Sequence, residues 1–185
     1  MGQSHTIFIV LSTSGTKCSK FLKLMSDRKA EYKTEFTHVS ISFEDDLSTL
    51  HSFARRGMYV PFIAGYIEEH PNKGILNKYN PMCEVLTLEI NHEKYLKLLE
   101  LVSEFNRNPL KYKYNFIGLI CLYFKIPHKL HRHFTCTEFV AWLLGNIDIS
   151  PNVDKDVSLI VPNDYYKIPS VKSVYRGRIQ SFCLA

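Results

Sequence analysis

A cysteine at the start of a helix is the residue of this chain best suited to chemistry. The segment Thr135-Cys136-Thr137-Glu138 precedes an apolar helical run and has the threonine-to-glutamate spacing of a capping box. If Thr135 is the N-cap, Cys136 is the first helical residue, where unpaired backbone N–H groups and the helix dipole favour a thiolate over a thiol. The alternative is that Cys136 only packs beneath the start of the helix, and the spacing leaves both interpretations open.

A thiolate nucleophile needs a general base, and His38 is the best candidate. It lies in residues 37–43, where apolar and polar residues alternate as in a half-buried strand. Ser40 and Ser42 share the polar side of that strand with His38. A lone histidine on a strand is more often an ordinary surface residue, so His38 gains significance only in combination with Cys136.

The elements expected to position these residues form a mixture of strands and helices. Apolar runs and alternating segments predict strands near residues 6–11, 37–43, 50–53, 60–67, 83–90 and 174–179. Helical spacing predicts helices at residues 17–25, at 91–105 with Asn91 as N-cap, at 112–124 as a buried helix around Gly118, and at 135–144. The sequence therefore predicts a single α+β domain over residues 1–185.

The order of the two motifs resembles a known family. Thr-His-Val-Ser-Ile-Ser at residues 37–42, followed far downstream by Cys-Thr-Glu-Phe-Val at 136–140, is similar to the circularly permuted papain-like branch of the NlpC/P60 superfamily. In that branch the histidine strand precedes the cysteine helix. The chain looks most like the bacterial amidases of the YiiX/YaeF type and their poxviral relatives, and less like the lecithin retinol acyltransferase-like proteins. Matching segments follow in the expected order at residues 52–56, 61–66, 112–115 and 174–177.

The resemblance implies a fold and a function. The fold would be permuted papain-like, with a small, mostly antiparallel sheet packed against the nucleophile helix. Cys136 would attack a carbonyl carbon and His38 would act as general base and then general acid, which gives a cysteine hydrolase of the amidase or peptidase kind working through an acyl-enzyme. The alternatives are lipid acyl transfer, phospholipase-like chemistry, or a non-catalytic ligand-binding domain that retains the cleft.

A third residue that orients the imidazole is also implied, on the strand after the histidine strand. A hairpin centred near residues 45–46 places the position opposite His38 within residues 52–55. His51, one residue outside that window, is the predicted orienting residue because of its chemistry. Ser52 and Glu68 are the alternatives, and His51 is equally well interpreted as an exposed hairpin histidine.

Charge limits the partners. The chain has 23 Lys and Arg and 18 Asp and Glu, a net charge of +5. Six basic residues and no acidic one lie between Phe105 and Thr137, and these could stabilise a thiolate or attract an anionic substrate or lipid headgroup. Basic residues are otherwise scattered, so nucleic acid is not predicted. The predicted substrates are a small peptide, an amino-acid amide or a lipid.

Cysteine usage and hydropathy indicate the compartment. Five cysteines at irregular spacings with no Cys-x-x-Cys pair predict neither a disulfide framework nor a zinc ribbon, but reduced thiols in the cytoplasm. No apolar run approaches the roughly 20 residues of a membrane span, so no integral membrane segment is predicted. His128, His131, His133 and Cys136 are too compressed for a tetrahedral zinc site without further ligands, so neither a metal nor a cofactor is predicted.

Overall fold

The computed structural model describes residues 3–13, 35–56 and 63–183, without the side chain of Cys183, and the helix predicted at residues 17–25 lies outside these ranges. The strands are β1 (Ser4–Ser12), β2 (His38–Ser42), β3 (Leu50–Arg55), β4 (Ala64–Glu69), β5 (Met82–Asn91), β6 (Lys113–Tyr114), β7 (His133–Phe134) and β8 (Lys172–Arg178). The α-helices are α1 (Gly74–Tyr79), α2 (His92–Arg107), α3 (Phe116–Tyr123), α4 (Cys136–Gly145) and α5 (Ile179–Cys183). Short 3-10 helices occur at Pro109–Lys111, Val157–Leu159 and Pro162–Lys167.

The described strands form one eight-stranded sheet in the order β7-β6-β4-β3-β2-β1-β5-β8. Every neighbouring pair is antiparallel except β6 and β7, which run parallel. The prediction of a mostly antiparallel sheet in an α+β protein is confirmed. The expectation of a small sheet was wrong. The short strands β6 and β7 extend the sheet at one edge, and β5 and β8 extend it at the other edge.

The main core lies between this sheet and helices α2 and α4. Ile41 and Phe53 of the sheet pack in one cluster with Phe105 of α2 and Phe139 of α4. The ring of Phe53 lies 6.0 Å from that of Phe105 and 5.1 Å from that of Phe139, measured between centroids. Aromatic packing therefore fixes α4 against β2 and β3, the strands on which the candidate base and its neighbours lie.

Strand β2 differs from its prediction because both of its sides are covered. The alternation in the sequence predicted an exposed polar side, but Ser40 and Ser42 are fully buried and His38 is nearly so. The strand lies inside the sheet between β1 and β3, and a second apolar cluster that includes Val10 and Leu50 forms away from the main core. The polar side of β2 is thus an internal surface, where its polar groups need partners within the protein.

Helix α2 begins where the sequence predicted, whereas α3 covers only Phe116–Tyr123 of the predicted 112–124. Asn91 caps α2 as predicted, its side chain accepting a hydrogen bond from the backbone N–H of Lys94 at 2.9 Å. The prediction of a buried helix around Gly118 was partly wrong: Gly118 is buried, but Ile117 and Ile120 of α3 are exposed. No helix in the described ranges combines the length and apolar character required to cross a membrane.

Candidate active site

Cys136 is the first residue of α4, where the capping box placed it. The Thr135 side chain accepts a hydrogen bond from the backbone N–H of Glu138 at 3.2 Å. In return the Glu138 carboxylate accepts one from the backbone N–H of Thr135 at 2.6 Å. These two bonds fix the first turn of the helix, so the position of the Cys136 side chain is set by the capping box and not by a flexible loop. Cys136 is 7% exposed.

The capping glutamate is held from a second direction by Asn115. Asn115 is fully buried, and its side-chain amide lies 3.4 Å from both carboxylate oxygens of Glu138. Burial raises the pKa of Glu138, while hydrogen bonds from Thr135 and Asn115 act in the opposite direction. The start of α4 is therefore joined by a buried polar network to the segment that precedes α3.

His38 is the first residue of β2, and its imidazole lies between the thiol and a carboxylate. Nε2 of His38 is 2.7 Å from Oε2 of Glu69, and both side chains are only 11% exposed. The Cys136 side chain lies near enough to this imidazole to raise the pKa of His38. The structure thus brings together the predicted pair, which is almost a hundred residues apart in the chain, and adds Glu69 at the last position of β4.

The environment of His38 favours its protonated form. Burial alone lowers the pKa of His38, but the negative charge of Glu69 and the hydrogen bonds with Cys136 and Glu69 raise it. The outcome is a pKa well above the ordinary value of 6.5. An imidazolium in this position can supply a proton to a leaving group.

Two tyrosines complete the surroundings of the thiol. Burial together with the nearby negative charges of Cys136 and Glu138 raises the pKa of Tyr114. The Tyr165 hydroxyl donates to the backbone carbonyl of Thr137 at 2.8 Å. Both hydroxyls stay protonated in this setting, so Tyr114 is a hydroxyl donor in the neighbourhood of Cys136 and Tyr165 secures the first turn of α4.

The residues that the sequence suggested as the third member lie elsewhere. Nδ1 of His51 is 2.9 Å from the hydroxyl of Tyr66, and burial lowers the pKa of His51. The Ser52 hydroxyl donates to the backbone carbonyl of Val39 at 2.8 Å. Glu68 is 44% exposed and its carboxylate lies 3.9 Å from His51. The structure thus places Glu69, and not His51, Ser52 or Glu68, against the imidazole of His38.

Sequence reasoning did not identify Glu69. The alternative Glu68 is the residue before it, and the alternatives His51 and Ser52 lie on the preceding strand. The hairpin argument searched β3, whereas the contact comes from β4, the next strand in the sheet. In the observed register His51 of β3 lies opposite Ile41 of β2 on one side and opposite Glu68 of β4 on the other. Alternation then places Glu69 on the same side as His38 and Glu68 on the side of His51. The pair of glutamates at residues 68 and 69 was the available signal, and only the strand register distinguishes them.

The zinc alternative finds no support. Among the residues that the structure describes, no group of three or more His, Cys, Asp or Glu side chains is arranged to hold a metal ion. His133 instead pairs its Nδ1 with the backbone carbonyl of His131 at 2.7 Å. His38 and Tyr114 are among the groups whose pKa values are raised by the neighbouring Cys136.

No protein-family model matches the chain, and neither the search of curated proteins nor that of solved structures gives a match. The site is consequently interpreted from its own residues.

Proposed function

We propose that the chain is a thiol-dependent hydrolase or acyl transferase that works through an acyl-enzyme on Cys136. The observation that carries the proposal is the 2.7 Å contact between the His38 imidazole and the Glu69 carboxylate, with Cys136 near enough to raise the pKa of the same imidazole. Cysteine and serine hydrolases of unrelated folds share an arrangement in which a carboxylate orients a histidine base and the base serves a nucleophile.

The proposed reaction has two stages. The Cys136 thiolate attacks the carbonyl carbon of an amide or ester, and protonated His38 gives its proton to the departing nitrogen or oxygen as that bond breaks. Neutral His38 then removes a proton from water or from an acceptor alcohol or amine. That nucleophile attacks the thioester, and the Cys136 thiolate leaves. The backbone N–H of Cys136, unpaired within the helix, is the natural donor to the oxyanion of both tetrahedral intermediates.

Glu69 has the positioning role in this scheme. Its carboxylate holds Nε2 of His38, which would leave the other imidazole nitrogen to serve the thiol. Both groups are nearly excluded from water, which strengthens their attraction compared with an exposed pair. Glu69 thus replaces His51 as our candidate for the third member of the site.

The topology agrees with the permuted papain-like interpretation. The histidine strand precedes the cysteine helix in the chain, the sheet is mostly antiparallel, and α4 packs on β2 and β3. We propose on these grounds that the fold is the circularly permuted papain-like fold of the NlpC/P60 superfamily. The substrate is then an amide or ester of a small peptide, an amino acid or a lipid, since the fold alone does not choose among them.

Alkylation by iodoacetamide tests the reactivity of the thiol. Cys121 is more exposed than Cys136, so solvent access alone predicts that Cys121 reacts first. We expect the reverse, with Cys136 alkylated at least about tenfold faster near neutral pH because a histidine that favours its protonated form lies beside it. Peptide mass mapping after timed quenching gives both rates in one sample.

Acylation tests the reaction itself. Mixing the protein with p-nitrophenyl acetate should release a burst of p-nitrophenol and leave one acetyl group on Cys136, detectable by mass spectrometry. Cys136→Ala should abolish the burst, and the matched variant Cys121→Ser should keep it. Equal alkylation rates for the cysteines, together with no acetylated Cys136, would favour a ligand-binding domain that retains the cleft without the chemistry.

A further inference from the structure

Helix α3 presents an apolar face to solvent. Phe116, Ile117, Ile120 and Phe124, the residue after the helix, are between 42% and 60% exposed. At about 100° per residue these four side chains fall within an arc of roughly 100° on one side of the helix, and we call them the α3 apolar face. A helix on a protein surface normally directs charged residues outward, so this face needs a separate explanation.

The orientation of this face is fixed from below. The Asn115 side chain caps α3 by accepting a hydrogen bond from the backbone N–H of Gly118 at 2.8 Å. A Cβ atom at Gly118 would lie 2.2 Å from the Asn115 side-chain nitrogen, so only glycine permits this close seating. Because Asn115 is also bound to Glu138 of α4, the helix is anchored to the core and its apolar face is held outward.

The sequence that flanks the α3 apolar face is positively charged. Ile126 and Leu130 extend the exposed apolar surface past the end of the helix. The exposed basic residues in the flanking sequence are Arg107, Lys111, Lys113, Lys125, Lys129 and Arg132. Lys129 is the one of these that forms a salt bridge in the described residues, with Asp156 at 2.7 Å. No Asp or Glu occurs between Asn106 and Thr137 in the sequence.

We propose that the α3 apolar face is a docking surface for a bilayer that contains anionic phospholipid. Eight helical residues extend about 12 Å, well short of the roughly 30 Å hydrocarbon core, so α3 would lie in the interface with its apolar side among the acyl chains. The flanking lysines and arginines would meet the negative headgroups. Docking a second copy of the chain by this face would bring like charges together, which disfavours a symmetric dimer.

The docking surface lies beside the candidate active site. The ring of Phe116 is 4.9 Å from that of Tyr114, measured between centroids, and Cys136 is near enough to Tyr114 to raise the pKa of its hydroxyl. A bilayer on the α3 apolar face would bring membrane-embedded acyl groups close to the thiol. The docking itself does not depend on Cys136 chemistry, so Cys136→Ala should bind vesicles as the unchanged protein does.

Vesicle co-sedimentation tests the proposal. The full chain should sediment with vesicles of phosphatidylcholine and phosphatidylserine, more weakly with phosphatidylcholine alone, and less as salt is added. The double variant Ile117→Ser/Ile120→Ser should lower the partition coefficient by about tenfold or more, because two apolar side chains no longer enter the interface. Lys113→Gln/Lys125→Gln should remove most of the preference for anionic vesicles.

A matched control distinguishes binding through the α3 apolar face from nonspecific hydrophobic binding to vesicles. Leu96 on α2 is also 50% exposed and apolar, and Leu96→Ser should leave binding unchanged. Thermal melting of each variant confirms that it is folded. The proposal is overturned if the unchanged protein does not sediment with anionic vesicles, or if Leu96→Ser weakens sedimentation as much as the α3 variant does. It is equally overturned if the α3 variant instead converts a dimer to a monomer in size-exclusion chromatography.

Discussion

Two histidine–glutamate pairs lie within the same three strands, and only one of them contacts the thiol. His38 of β2 meets Glu69, and His51 of β3 lies opposite Glu68, the preceding residue of β4. The distances differ, at 2.7 Å for His38 with Glu69 and 3.9 Å for His51 with Glu68. The same two residue types in the same part of the sheet therefore give two different environments.

Strand alternation separates the two pairs. Consecutive residues of a strand point to opposite faces, so adjacent glutamates serve opposite sides of the sheet. Glu69 is almost covered, whereas Glu68 remains 44% exposed and its charge is screened by water. A nearby carboxylate thus affects a buried histidine strongly only when the carboxylate is itself buried and in hydrogen-bond contact.

The pKa values of the two histidines shift in opposite directions. Burial lowers the pKa of each, but at His38 the charge of Glu69 and the hydrogen bonds outweigh burial, and the pKa is raised. At His51 the attraction of Glu68 is too weak to compensate, and His70 adds a like charge, so the pKa of His51 is lowered. The difference indicates that His38 is suited to hold a proton for catalysis and His51 is suited to a neutral structural hydrogen bond.

The largest expected effect is on the rate of Cys136 acetylation when Glu69 or Glu68 is replaced singly. Glu69→Gln should slow acetylation of Cys136 by p-nitrophenyl acetate by about 10²-fold, because the imidazole loses the group that orients it and stabilises its charge. Glu68→Gln is nearly the same change one residue away and should alter the rate by less than about twofold. Stopped-flow measurement of the burst gives both rates. Equal effects of the two substitutions would remove the distinction between the pairs.

The position of the candidate nucleophile was predictable because its signal is local. The capping box of Thr135 and Glu138 identifies the first residue of α4 from four consecutive residues, and it is present as expected. His38 was found through strand alternation and the order of the two motifs. The order of the strands, the separate positions of Glu68 and Glu69, and the covering of β2 depend on pairing between distant segments, which one sequence does not encode locally.

Helix α3 shows a different limit of sequence reasoning. Its eight residues carry no charge, and an entirely apolar segment is normally buried, so burial was the reasonable expectation. The structure buries Gly118 and leaves Ile117 and Ile120 outside. Composition alone does not distinguish a core helix from one that is apolar on its exposed side, since both give the same sequence pattern.

The second-largest effect should appear in the pH dependence of stability. A folded-state pKa above that of the unfolded chain means that the contribution of His38 is complete below about pH 6.5 and is lost as the pH rises through the folded value. His51 has the opposite sign: its contribution is complete above about pH 6.5 and is lost as the pH falls through the lowered folded value. The wild-type protein should therefore lose stability on both sides of that pH.

Urea unfolding of two variants assigns the two slopes. His38→Asn should flatten the decline in the free energy of unfolding above about pH 6.5, and His51→Gln should flatten the decline below it. Each variant serves as the control for the other. If His38→Asn flattened the acidic side instead, His38 would not be held protonated in the folded protein, and the contrast between the pairs would be reversed.

The smallest expected effect tests the structural role of the second pair. The Tyr66 hydroxyl lies between Nδ1 of His51 and the side chain of Asn106, to which it donates. Tyr66→Phe keeps the ring packed and removes only the hydroxyl, which leaves the buried His51 nitrogen without that partner. We expect a loss of about 1 kcal/mol in the free energy of unfolding.

The same variant tests whether the two pairs are independent. Because the altered group belongs to the His51 side, the rate of Cys136 acetylation should stay within about twofold of the wild-type rate. A large fall in that rate without loss of stability would mean that His51 and Tyr66 influence the thiol, and that the two pairs act together after all.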